Sequence, residues 1–314
     1  MLRIRPAVPR RTHMMGDKMI QVVHIGQRKT GTSWLQRTLK CAHDDGVEFH
    51  NGKKALKAWG FKHKPKRTTD AGFAELTAIL AKGRGKHAIF SWENMVLYPH
   101  DQIANAVQQA LPNAHILMTT RAPDSYTKSQ YRHNVQHGNY VTPQAYAENL
   151  AKDHLQRSHD VVSVKAAFEA FGFGGRLTFM PYEALKHDAV TFLSDISALF
   201  GLDLEPYRLE LPLNQSPPPY ALELMRRINK ALDEQAPDVL NSADFKLYRR
   251  MTMMALPRAV DLEGVFEGYV EKHGLEYTLP SLPVEFVDDF KVKMLPLRDL
   301  PAYQPYLAEY GLAD

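Results

Sequence analysis

Between positions 26 and 34 the sequence reads Gly26, Gln27, Arg28, Lys29, Thr30, Gly31, Thr32, Ser33, Trp34. Glycines, cations and hydroxyls packed this closely are the parts of an anion cradle. Thr30 and Gly31 let the backbone approach a phosphate, Thr32 and Ser33 add hydroxyl donors, and Lys29 is a mobile point charge. The stretch follows a β-branched run, Ile20 to Ile25, and precedes a segment whose apolar spacing suits a helix. Backbone N–H groups at a strand-to-helix turn, together with the helix N-terminus, favour a bound anion. The plainer alternative is a turn with a Ser/Thr N-cap and a surface lysine. An ATP or GTP loop is disfavoured, because it needs lysine directly after the second glycine. Here Thr32 follows Gly31, and the lysine precedes it at Lys29.

The run Lys-Thr-Gly-Thr-Ser-Trp from Lys29 to Trp34 resembles the 5′-phosphosulfate loop of the PAPS-dependent sulfotransferases, in particular the bacterial and carbohydrate-type branch. These enzymes move a sulfuryl group from 3′-phosphoadenosine 5′-phosphosulfate (PAPS) to a hydroxyl or amine. The resemblance implies donor contacts from Arg28, Lys29, Thr30, Gly31, Thr32 and Ser33, with Trp34 either stacked on adenine or part of the core. It also implies that Arg121, at the end of the third apolar run, and Ser129, eight residues later, hold the 3′-phosphate. A guanidinium fork matches phosphate oxygens, and each charge-assisted bond is worth roughly 1.5 to 3 kcal/mol. The Arg-Lys-Gly segment that completes this site in soluble animal members is absent.

Transfer to an alcohol needs a base near the acceptor proton. The branch resembled here uses a glutamate after the strand that follows the loop, which makes Glu93, in Ser91-Trp92-Glu93-Asn94, the candidate catalytic base. A capping or salt-bridged carboxylate is the alternative role for Glu93, and His133 and His137 are reserve bases. Lys29 would stabilise the leaving phosphate of adenosine 3′,5′-bisphosphate, in a direct in-line displacement with no metal and no covalent enzyme intermediate. The resemblance extends through Met180 to Leu202 and Asn214-Gln215-Ser216, and covers about Ile20 to Asn229.

The elements that must position these residues follow from periodicity. Short apolar runs predict strands at Ile20–Ile25, His87–Trp92, His115–Thr120 and Arg176–Tyr182. Helices are expected after the loop, at Phe73–Ala81 and Asp101–Ala110, from Pro123 to a stop near Gly138, at Ala189–Phe200 ending on Gly201, and from Tyr220 towards Ala236. Strands alternating with helices predict an α/β fold: a P-loop NTPase-like three-layer arrangement with a central parallel sheet flanked by helices, plus a helical C-terminal extension. Ligands of such sheets bind beyond the carboxyl ends of the strands, where the loop, Glu93 and Arg121 all fall.

Composition bounds the rest. With 314 residues, 44% hydrophobic and 24% charged, the chain can bury a full core. A formal net charge of +4 lacks the concentrated positive charge of a nucleic-acid binder and suits a small anionic ligand. The single cysteine, Cys41, excludes an internal disulfide and reads as a small buried hydrophobe in a reducing compartment. No transmembrane run or signal-peptide core is visible, so a cytoplasmic protein is expected. Residues 1–18 read as a disordered tail, residues 19–314 as one domain, and 235–314 as its helical accessory region. Residues 53–67 carry Lys53, Lys54, Lys57, Lys62, Lys64, Lys66 and Arg67 interleaved with Trp59 and Phe61. That bias suits an anionic glycan or lipid head group, or simply a solvated loop. The acceptor is accordingly expected to be a glycan, a lipid or a small metabolite. The rival functions are a non-catalytic nucleotide- or polyanion-binding relative and a P-loop kinase.

Overall fold

The computed structural model describes residues 19–41, 46–51, 70–93, 95–205, 219–242, 245, 264, 268, 272 and 278–313. The N-terminal tail, the basic stretch, Asn94 and Asn214-Gln215-Ser216 lie outside the described residues. The chain divides into two compact units. The first comprises Met1–Ala122, Gln156–Leu211 and Asp289–Asp314, and the second comprises Pro123–Leu155 and Pro212–Asp288.

The first unit is built on a five-stranded, wholly parallel sheet. Its strands are β1 (Gln21–His24), β2 (Glu48–Asn51), β3 (Ala88–Ser91), β4 (His115–Thr120) and β5 (Leu177–Pro181), in the order β2-β3-β1-β4-β5. The four expected strands are therefore present. β2 is an addition that the sequence does not announce: its residues, Glu-Phe-His-Asn, are only half-buried or exposed and lack an apolar run. It is held by pairing with β3, Glu48 opposite Ala88 through Asn51 opposite Ser91. Tertiary pairing overrides weak local propensity at such an edge.

Helices of the first unit cover the sheet. α1 (Thr32–Cys41) follows the loop, and α2 (Asp70–Ala81) and α3 (His100–Ala110) come next in the chain, followed by α4 (Pro123–Gln136), which belongs to the second unit. Side chains alternate faces along a strand. Val23, Phe90, Ile116, Met118 and Phe179 share one face and form a buried cluster with Leu76 and Leu80 of α2 and Ile103 and Val107 of α3. Val161, Val164 and Phe168 join them from a further helix, Val161–Ala170, capped by the Asp160 carboxylate accepting from Ser163 N–H. The opposite face carries Val22, His24, Ile89, Ser91, Leu117 and Thr119, and α1 lies over it. The Gln36 side chain of α1 donates to both the carbonyl and the hydroxyl of Ser91. The helix Ala189–Phe200 starts on Asp188, which accepts from Val190 and Thr191 N–H, and ends on Gly201 in the left-handed conformation. Cys41 closes α1, but its side chain lies outside the described residues.

The second unit packs α4, a helix Pro143–Leu150 and a long helix Pro219–Gln235 around Tyr131, Val135, Tyr146, Tyr220, Leu222 and Met225. The Asn229 amide fastens the long helix to α4 by donating to the carbonyls of Val135 and Asn139. Glu223 accepts a fork from Arg226 at 2.7 Å on each oxygen and a further bond from Arg227. Among the described residues no helix is long and apolar enough to cross a membrane.

Candidate functional site

β1 ends at His24, and its ladder runs on into the loop: Ile25 N–H donates to the Leu117 carbonyl and Gln27 N–H to the Thr119 carbonyl. The chain then turns sharply. Lys29 sits at φ +62°, the one non-glycine residue with positive φ among the described residues, and Gly31 follows at φ +69°. A lysine in the left-handed region costs of order 1 to 3 kcal/mol, and such strain persists where surrounding contacts fix it. Those contacts come largely from Gln27, which is buried. Its carbonyl accepts from the hydroxyls of Thr30 at 2.8 Å and Thr32 at 3.2 Å. Its side chain donates to the Ser158 carbonyl and accepts from Arg121 N–H. Sequence reasoning passed over Gln27 because a glutamine in a loop carries no chemical signature.

The glycines of the loop are closely enclosed, and Gly31 is further favoured by its positive φ. A Cβ on Gly31 would lie 2.3 Å from Leu185 Cδ2, and one on Gly26 would lie 2.2 Å from Thr119 Oγ1 and 2.5 Å from His24 Nε2. The loop backbone is thus pressed against neighbours on both sides, which leaves it little room to shift.

On the loops after β3 and β4, Glu93 and Arg121 each stand within electrostatic reach of Lys29 on the loop after β1. The Lys29 ammonium is held down to about 8, first by burial and then by the positive charges of Arg28 and Arg121, with the Glu93 carboxylate pulling the other way. Glu93 follows β3 by two residues and is half-buried. Arg121 follows β4 directly. Its Nη1 donates to the Lys29 carbonyl at 2.7 Å, and its guanidinium lies 4.4 Å from the centre of the Tyr182 ring. A cation on an aromatic face with one N–H already committed has little rotational freedom. It is oriented in advance.

Behind Arg121, Glu183 is buried, and burial raises its carboxyl above the usual range, against hydrogen bonds from Tyr310 and from the backbone, including Ala122 N–H, and the charge of Arg121. The Tyr310 hydroxyl also meets Thr120 Oγ1, which meets the Tyr303 hydroxyl at 2.7 Å. The C-terminal segment is thereby tied to the end of β4. Burial pushes both tyrosine hydroxyls well above their ordinary range.

Of the residues expected from the sequence, Arg28, Lys29, Thr30, Gly31, Thr32, Arg121 and Glu93 gather in this part of the first unit. The Thr30 and Thr32 hydroxyls point inward to Gln27 rather than outward. Ser33 is exposed on the first turn of α1. Trp34 is 2% exposed, which leaves its indole little open face for stacking on a base. Ser129 is half-buried on α4 and belongs to the second unit, as do His133 and His137. Those histidine rings lie 4.1 Å apart on the last turn and just beyond it. Among the described residues no group of three or more His, Cys, Asp or Glu is gathered as a metal ion would need.

No protein-family model and no curated protein matches the sequence. Solved structures are similar to the chain in fold. The crystal structure of a sulfotransferase from Alicyclobacillus acidocaldarius is similar at 21% identity and a TM-score of 0.45, over 74% of this chain and 96% of that one. Mouse sulfotransferase SULT7A1 complexed with PAP is similar at 21% identity and a TM-score of 0.39, over 60% of this chain and 61% of that one. Both are sulfotransferases. The chemistry available to the site is carried by its own geometry.

Proposed function

We propose that this chain is a sulfotransferase that binds PAPS over the carboxyl end of its parallel sheet and passes the sulfuryl group to a hydroxyl or amine of a small-molecule or glycan acceptor. The observation that carries this reading is the grouping of Lys29, Arg121 and Glu93 on the loops after β1, β4 and β3, close enough for Arg121 and Glu93 both to act on the Lys29 charge. In the sheet order β1 lies between β4 and β3, so the loop that carries Lys29 is flanked by Arg121 after β4 and Glu93 after β3, which supports this reading. Arg121 would hold the 3′-phosphate, and the loop from Arg28 to Ser33 the 5′-phosphosulfate. The acceptor would approach from the β3 side.

In the displacement the bond between sulfur and the bridging phosphate oxygen breaks as the acceptor's oxygen or nitrogen bonds to sulfur. The electron pair of the broken bond stays on the phosphate, where Lys29 meets the developing charge. The acceptor proton passes to Glu93. Holding donor and acceptor in line supplies much of the acceleration, since positioning replaces a costly encounter.

Glu93→Gln tests this reading directly. Removing a positioned base should lower turnover by about 10²- to 10⁴-fold, while affinity for adenosine 3′,5′-bisphosphate stays near wild type. Steady-state transfer from PAPS to a panel of phenol, sugar and amine acceptors reads the first quantity, and calorimetry reads the second. Full activity of the variant removes Glu93 as base. Nucleotide binding by the wild-type protein with no transfer to any acceptor favours a binding protein instead.

A further inference from the structure

Beneath the anion loop, on the sheet face covered by α1, a chain of polar side chains, buried except for Asn51 at its outer end, leads to Thr30 of the loop, and its members His24, Ser91 and Thr119 have no part in the mechanism above. The His24 imidazole is completely buried, with Nδ1 2.8 Å from Ser91 Oγ and Nε2 3.0 Å from Thr119 Oγ1. Thr119 Oγ1 is 2.9 Å from Thr30 Oγ1 in the loop. On the far side the Gln36 amide donates to Ser91 Oγ, and Asn51 at the end of β2 donates to Gln36 Oε1.

Counting hydrogens orients this chain. Each hydroxyl has one proton to give. The Thr30 hydroxyl gives its proton to the Gln27 carbonyl, so in its contact with Thr119 it must accept. Thr119, having donated to Thr30, must accept from His24, which puts the imidazole proton on Nε2. Nδ1 is then an acceptor and takes the Ser91 proton, and Ser91 accepts from Gln36. Every step runs the same way, from Asn51 through Gln36, Ser91, His24, Thr119 and Thr30 to Gln27. The order requires a neutral histidine, and burial depresses His24 to about 4. Gly26 lies against the centre of this chain, where any Cβ would strike Thr119 and His24 together.

We propose that His24 is a positioning residue: by bridging Ser91 and Thr119 it locks the anion loop to the strand that presents Glu93, so that loop and carboxylate keep a fixed separation. The locking stands on the hydrogen bonds alone, whereas its catalytic meaning rests on the function proposed above. Buried polar chains with every member satisfied fix one arrangement, since any alternative leaves a buried group unpaired.

Thr119→Val and Thr119→Ser separate hydrogen bonding from packing. Valine keeps the shape and removes the hydroxyl, while serine keeps the hydroxyl and removes a methyl. Amide hydrogen exchange across residues 26–33 in the full chain is expected to speed up by about tenfold or more in Thr119→Val, to remain near wild type in Thr119→Ser, and to be unchanged in α3 of both. Affinity for adenosine 3′,5′-bisphosphate should fall in the valine variant and recover in the serine variant. Unchanged loop exchange in Thr119→Val, or loosening in Thr119→Ser as large as in valine, would overturn the proposal. Should Thr119→Val not fold, Ser91→Ala cuts the same chain on the other side of His24 and is expected to loosen the same amides. A wild-type protein that binds no bisphosphate refutes the proposed function, and the exchange data decide the locking role regardless.

Discussion

Lys29→Ala is expected to lower turnover of sulfuryl transfer by about 10²- to 10³-fold, the usual cost of deleting one preorganised group aimed at developing charge. The fold should survive. Alanine occupies the left-handed conformation at the same backbone cost as lysine, and the Lys29 carbonyl that accepts from Arg121 is retained. The change therefore isolates the ammonium. On the proposed function, the same group is expected to set an alkaline limit in the wild-type protein. With the ammonium held down to about 8, kcat/KM is expected to fall as pH rises through that value, because the charged form is lost. Glu93 raises the Lys29 value, so Glu93→Gln should move the remaining limb to lower pH. A pH profile of kcat/KM between 6 and 10 reads both, and a limb that persists unchanged in Lys29→Ala would assign it to another group.

The second large effect is expected from a single methyl group. Gly26→Ala places a Cβ inside the contact distance of two buried polar side chains, Thr119 and His24, neither of which is a flexible end that can swing away. Overpacking alone costs roughly 1 to 3 kcal/mol. Parting His24 from Thr119 adds the penalty for an unmade buried hydrogen bond, about 1 to 3 kcal/mol more. The combined loss is large against a typical total stability of about 5 to 15 kcal/mol. Gly175→Ala is the matched control, since a Cβ there meets nothing within 4 Å. Urea unfolding should show a clearly lowered midpoint for Gly26→Ala and almost none for Gly175→Ala. Equal midpoints would mean that the loop is not pressed on the histidine as described.

Much of this site is legible in the sequence, for physical reasons. A β-branched run into glycine, followed by hydroxyls and a helix, admits few other folds, and the strand His115–Thr120 has the bounds its apolar run suggests. Helix ends with strong signals are equally readable: Pro123 opens α4, and Gly201 closes Ala189–Phe200 in the left-handed conformation glycine favours. What escapes the sequence is whatever takes its meaning from a distant partner. β2 is a strand only because β3 pairs with it. His24, Ser91 and Thr119 read as polar interruptions of apolar strands until three neighbouring strands bring them side by side. Gln36, on the helix face turned towards Ser91, is equally silent alone. Glu183 and Tyr310 are separated by 127 positions and meet at 2.7 Å. The helix Pro143–Leu150 was readable from Thr142-Pro143, a cap followed by proline in the first turn, yet no apolar period draws attention to it.

The measurement closest to the central claim is calorimetric titration with adenosine 3′,5′-bisphosphate, beside adenosine 5′-phosphate and ATP with magnesium, of the wild-type protein and Arg121→Ala. The 3′-phosphate distinguishes this nucleotide from the other two, and the oriented Arg121 guanidinium is the group assigned to it. The wild-type protein is expected to bind the bisphosphate selectively at micromolar concentration, and Arg121→Ala to lose roughly ten- to hundredfold of that affinity, the equivalent of one charge-assisted bond of about 1.5 to 3 kcal/mol. Binding of adenosine 5′-phosphate should change far less. Preference of the wild-type protein for ATP with magnesium, or equal losses for both adenosine nucleotides in the variant, would contradict the assignment.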